Sequence, residues 1–104
     1  MALTLTFQHT PSEKKKYVFD YTRWLDPTEL ISTFDYSVSD PAIVAGEGAI
    51  ESGSTVVHFF VSGGVANTVY NVSLIVETTL GQIKEDTIKI IVEDPLAPEH
   101  LTSR

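Results

Sequence analysis

The residues of this chain whose types could do chemistry are a glycine pair, three histidines, serines beside glycines and a scatter of carboxylates. Gly63-Gly64 would cradle a phosphate only at the start of a helix, normally with a lysine following. Here an alternating apolar run follows instead, so the pair reads as a turn that starts a strand. His9, His58 and His100 lie far apart, and none has a second His or Cys at ligand spacing. The string ESGST, residues 51–55, lacks the Gly-x-Ser-x-Gly spacing of a nucleophile elbow. Asp40, Glu93 and Asp94 meet only if their strands end at the same pole, and no Asp-x-Asp-x-Asp loop is present. Asn71-Val72-Ser73 matches a glycosylation sequon, read as chance in a chain without a secretion signal. No catalytic residue, no cofactor-binding residue and no metal ligand is therefore assigned, no cofactor is implied, and the chain is expected not to be an enzyme.

The elements that would position any site are strands. Period-2 alternation marks strands at Leu3 to Phe7, Tyr17 to Tyr21, about Ile31 to Val38, Thr55 to Val61, Val69 to Thr78 and Ile83 to Glu93. Ala42 to Ala45 reads as a brief strand, and Gly46 to Gly53 as a glycine-punctuated loop. Pro27 disfavours helix at Asp26 and fixes a turn, with room for one helical turn from Thr28. The last two strands form a hairpin. Their inward residues are even-numbered on both sides, so paired positions must sum to an even number, which demands an odd loop or a bulge. Thr79-Leu80-Gly81 fits, with Gly81 left-handed. The pattern predicts an all-β fold, an antiparallel sandwich of about seven strands. Residues 1–14 read as an N-terminal arm carrying a short strand, 15–94 as the sandwich, and 95–104 as a C-terminal tail.

Composition narrows the partners. The chain has 104 residues, no cysteine and a net charge of −7, with a sequence pI near 4.7. That length supports one core without disulfides. The acidic balance argues against a nucleic-acid partner, and Lys14-Lys15-Lys16 reads as a solvated loop or a protected strand edge. No signal peptide and no membrane span is visible, so synthesis and folding in a cytosol, without secretion, are expected.

What remains is surface. Ile75 and Ile91 fall on the face opposite the core set of neighbouring strands, and Phe60 and Val56 do the same elsewhere. A cluster of this kind marks a contact surface. Trp24 is read first as a core plug and second as an interface anchor. Tyr70, just inside a strand, either returns its hydroxyl to the backbone upstream or is a plain core residue. The candidate interface residues are Ile75, Ile91, Phe60 and Trp24.

Several of these strings occur together in a known group. Asp20 at a strand end, Trp24-Leu25, Ile31-Ser32, Ser62-Gly63-Gly64, Tyr70 with Val72, and Thr78 to Gly81 span about residues 15–93. In this the chain resembles the small immunoglobulin-like proteins encoded among the structural genes of tailed bacteriophages. The resemblance implies an immunoglobulin-like sandwich and a virion component rather than an enzyme. The expected function is a capsid decoration or cement protein that binds and stabilises neighbouring shell subunits, with the major capsid protein as partner. The alternative is a tail or fibre accessory module that binds a host surface glycan or another tail protein; Tyr17, Tyr21, Trp24 and Tyr36 are the aromatics such glycan binding would use. Association with further copies of itself is a further option, and no membrane partner is expected.

Overall fold

The structure, a computed structural model, describes residues 4–94. Seven strands form: β1 (Thr4–His9), β2 (Lys14–Asp20), β3 (Ile31–Val38), β4 (Ile43–Ile50), β5 (Val56–Gly63), β6 (Thr68–Thr78) and β7 (Ile83–Val92). One sheet has the order β1-β7-β6-β3 and the other β2-β5-β4. Apart from β1, which lies beside β7 rather than beside β2, this is the strand order of an immunoglobulin-type sandwich. The fold is all-β, as the alternation predicts, and no helical turn opens at Thr28, whose φ is +67°.

The core follows from the pleat. Tyr70, Val72, Leu74 and Val76 of β6 face inward with Ile88, Ile90 and Val92 of β7, opposed by Val57, Phe59 and Val61 of β5. Phe59 sits at the centre, its ring 5.6 Å from Phe19, 5.5 Å from Tyr36 and 6.4 Å from Tyr17. An aromatic ring so enclosed contributes about 3–5 kcal/mol, judged by what truncation to alanine costs in such sites. The β6–β7 hairpin has the parity required: Glu77 pairs with Ile83 and Thr68 with Val92. Gly81 takes φ +84° in the Thr79-Leu80-Gly81 loop.

Three sequence readings need correction. The strand of the proposed N-terminal arm is not outside the sandwich. β1 runs parallel to β7, with Leu5 opposite Ile88 and His9 opposite Val92, so the sheet is not purely antiparallel. Phe7 packs on the core, and His9 is 2% exposed. A short parallel edge strand carries the same local alternation as an arm, and only its distant partner distinguishes them. Second, β4 is an eight-residue strand where a brief strand and a loop were expected. Its pairing with β5 shifts between Gly46 and Ala49, a bulge that places Glu47 at φ +55°. Glycines there mark an irregular edge strand lying against the Phe34 and Tyr36 rings, not a loop. Third, β2 begins at Lys14 rather than at Tyr17; the lysine run is the strand edge that was one of its two readings, exposed and paired to Ser62–Phe60. The proposed tail, 95–104, and His100 lie outside the described residues.

Candidate functional site

The two ends of β6 are held by different chemistry. At its start, the β5–β6 corner is closed by Tyr70, whose hydroxyl accepts a hydrogen bond from the Val65 backbone N–H at 2.9 Å. This decides the two readings of Tyr70 in favour of a tyrosine corner. Gly64 lies flat under that ring: a Cβ there would sit 3.1 Å from Tyr70 Cε2 and 2.7 Å from Val92 Cγ2, at φ +96°. The glycine pair is a turn, and what it approaches is aromatic.

At the far end of β6, the 21–30 loop is tied to the hairpin through Glu29, which is buried. Its carboxylate accepts from the Thr78 hydroxyl, from the Asp26 backbone N–H at 2.8 Å and from Gln82 Nε2 at 2.8 and 3.0 Å. The Thr78 hydroxyl, then the Asp26 amide, hold the Glu29 carboxyl below its ordinary range; burial works against them, and Gln82 adds to them. An ionised carboxylate with this many donors is a rigid brace. Leu30 completes it, donating from its N–H to the Thr79 hydroxyl at 3.2 Å and accepting from the Thr79 N–H at 2.8 Å.

The register of β3, β6 and β7 lays out the outward face between these ends row by row. Nearest the loops are Thr33–Glu77–Ile83, then Asp35–Ile75–Glu85. A hydroxyl row follows, Ser37–Ser73–Thr87, in which Ser73 and Thr87 bond at 3.0 Å. Asn71 then faces Lys89, and Val69 faces Ile91 next to Gln8. Exposed aliphatic residues therefore stand at both ends of the face, among carboxylates at the loop end, and the middle rows are polar throughout. At the loop end Ile83 is 66% exposed, Leu80 65%, Leu30 40% and Ile75 36%; at the corner end Val69 is 53% exposed.

The four candidate interface residues do not form one surface. Ile75 and Ile91 share this face but stand at opposite ends of it, six residues apart along β6 and so roughly 20 Å. Phe60 belongs to the other sheet, half-buried, with the Lys14 ammonium 5.4 Å from its ring. Trp24 is also half-buried, its ring 6.0 Å from Tyr21 with the Lys84 ammonium 5.7 Å away. It lines a groove of about 290 Å³ between the sheets, together with Leu5, Arg23, Lys84, Asp86 and Ile88. There Tyr21 donates to the buried Asp86 carboxylate at 2.9 Å; burial, then Asp86, push the Tyr21 hydroxyl well above its ordinary range. The aromatics offered for glycan binding make no open platform, because Tyr17 and Tyr21 are buried.

Ile83 and Val69 were missed although the signal was present: both are odd-numbered on strands whose even positions face inward. Leu80 and Leu30 carry no such signal, since a loop has no period. Among the described residues no three His, Cys, Asp or Glu side chains are grouped to hold a metal. His58 bonds Glu51 at 2.9 Å, and Asp40 caps its own turn through the Ala42 N–H at 2.8 Å.

A family model described as podophage GP4 fiber-tail adaptor protein gp77 matches residues 9–91. The chain belongs to this family. Its members are structural proteins of the phage particle, so this chain is a virion component. The match runs from the last residue of β1 to the penultimate residue of β7 and includes both braced ends. Of the two functions expected from sequence, the family accords better with the tail module than with the capsid cement. No curated protein matches the chain.

Proposed function

We propose that this protein is an adaptor that joins a fibre to the tail of a short-tailed phage by binding a tail protein and a fibre protein, without catalysing a reaction. The observation that carries the reading is the adaptor-family match over residues 9–91. The layout of the sheet supports it: an adaptor needs two contacts, and the outward face of β3, β6 and β7 has apolar residues at both ends with a hydroxyl row between. Rigid bracing at each end suits a part that transmits position between two others. The chain is made in the host cytoplasm and joins the particle there. Capsid decoration has no feature of the chain in its favour beyond the general resemblance to phage structural proteins.

The experiment is removal of the gene from the phage. Particles with intact, filled heads and bare tails are the expected product. Heads that leak or burst, with fibres still attached, would return the protein to the shell.

A further inference from the structure

The loop end of the outward face gathers four exposed aliphatic side chains. Leu80 stands at the hairpin tip, Leu30 beside it, and Ile83 and Ile75 are diagonal neighbours on β7 and β6. Contiguous exposed apolar residues of this kind mark a contact surface. Ile75 and Ile83 also wall a depression of about 160 Å³ whose rim carries the Asp35 and Glu77 carboxylates. Asp35, Glu77 and Glu85 are exposed, and none forms an ion pair among the described residues. Each acid is paired across the strands with an isoleucine, Asp35 and Glu85 with Ile75 and Glu77 with Ile83, so the corner interleaves three carboxylates with exposed aliphatic side chains.

We infer that this corner docks a protein surface with an apolar centre and a basic rim, one of whose arginine or lysine side chains enters the depression. Its stem lies along Ile75 and Ile83, and its head reaches Asp35 and Glu77. Charge complementarity selects this occupant: the corner pairs exposed aliphatic area with unmatched negative charge, and a long basic side chain is the one type that satisfies both. The Glu29 brace fixes Leu30 and Leu80 before binding, so little ordering remains to oppose association. The inference rests on the adaptor reading only for the identity of the partner, a tail or fibre protein.

The test binds purified full-length chain to phage particles assembled without it. Asp35→Asn with Glu77→Gln should weaken binding by about tenfold or more and flatten its salt dependence. Ile83→Asp and Leu80→Asp should abolish it. Val44→Asp, on the exposed edge of the other sheet, should change nothing. The Asn and Gln variants alter outward residues without changing their shape, so their folding, checked by melting, keeps the test valid if an Asp variant misfolds. Binding of the Asn/Gln variant equal to that of the parent overturns the inference. So does self-association of the pure chain that Ile83→Asp abolishes, since the occupant is then a second copy. If the same residues lose binding but the chain sits on the head, the docking corner stands and the adaptor reading falls.

Discussion

The two ends of β6 solve one problem, anchoring a connection to a sheet, in opposite ways. At the corner end the solution is neutral and steric: Tyr70 over Gly64, with one hydroxyl–amide bond. At the loop end it is ionic: Glu29 gathers donors from its own loop and from the hairpin across 49 and 53 residues of chain. A steric lock fails when volume is added, whereas a charged brace fails when charge is removed. At the loop end the charged brace also holds the exposed Leu30 and Leu80 from below, through Thr78 and Thr79.

The largest expected effect is Gly64→Ala. The new methyl meets Val92 and Tyr70 at a φ of +96°, so strain and overpacking together cost roughly 3 kcal/mol. Gly81→Ala, at φ +84° but with nothing within 4 Å of the added methyl, costs only about 1 kcal/mol. Denaturant midpoints of the two variants measure the steric share directly; equal losses would show that backbone conformation alone matters at both ends.

Glu29→Gln comes next. It keeps the shape and removes the charge that the Thr78, Asp26 and Gln82 donors stabilise. Because the folded carboxyl lies below its ordinary value of 4.5, its contribution is complete above that pH and is lost as pH falls through the folded value. The variant should therefore melt lower than the parent at neutral pH, and the gap should close below about pH 4.5. A gap independent of pH would remove the ionic explanation of the loop end.

Tyr70→Phe deletes one hydrogen bond and leaves the packing. A loss of about 1 kcal/mol is expected, with no pH dependence, which separates the corner from the brace.

The smallest effect belongs to His9, buried near the corner end and sharing a hydrogen bond with the Tyr17 hydroxyl while Nδ1 has no partner among the described residues. Burial lowers the His9 pKa from 6.5 and pushes the Tyr17 hydroxyl up to about 12. An unfolded histidine takes a proton below 6.5 that the folded one resists, so stability declines as pH falls below that value. His9→Gln should remove this mild decline while leaving the steeper one at lower pH, seen by following melting temperature from pH 7.5 to 5, a range of about one unit or more either side of an ordinary histidine.

What could be read from the sequence divides along the same line. The β5, β6 and β7 strands, the inward parity and the three-residue hairpin loop are local patterns, and alternation alone reveals them. The tyrosine corner was half legible, since Tyr70 has the right place but its partner is a backbone amide. Pairing of β1 with β7 was hidden, because no local signal distinguishes an edge strand from an arm. β4 was hidden because its bulge uses the glycines that ordinarily announce a loop. Glu29 was invisible for a simpler reason: one acid in a loop has no period, and its partners are distant in the chain. For the surface, odd-numbered Ile83 and Val69 were open to the parity that found Ile75 and Ile91, whereas Leu30 and Leu80 needed the structure.

The most direct measurement is a reconstruction of the whole particle at a resolution that places this fold. The expected result is the sandwich between a tail protein and a fibre protein, with Leu80 and Ile83 covered and a basic side chain of the neighbour beside Asp35 and Glu77. A sandwich on the head lattice, or one on the tail with Leu80 and Ile83 facing solvent, would contradict it.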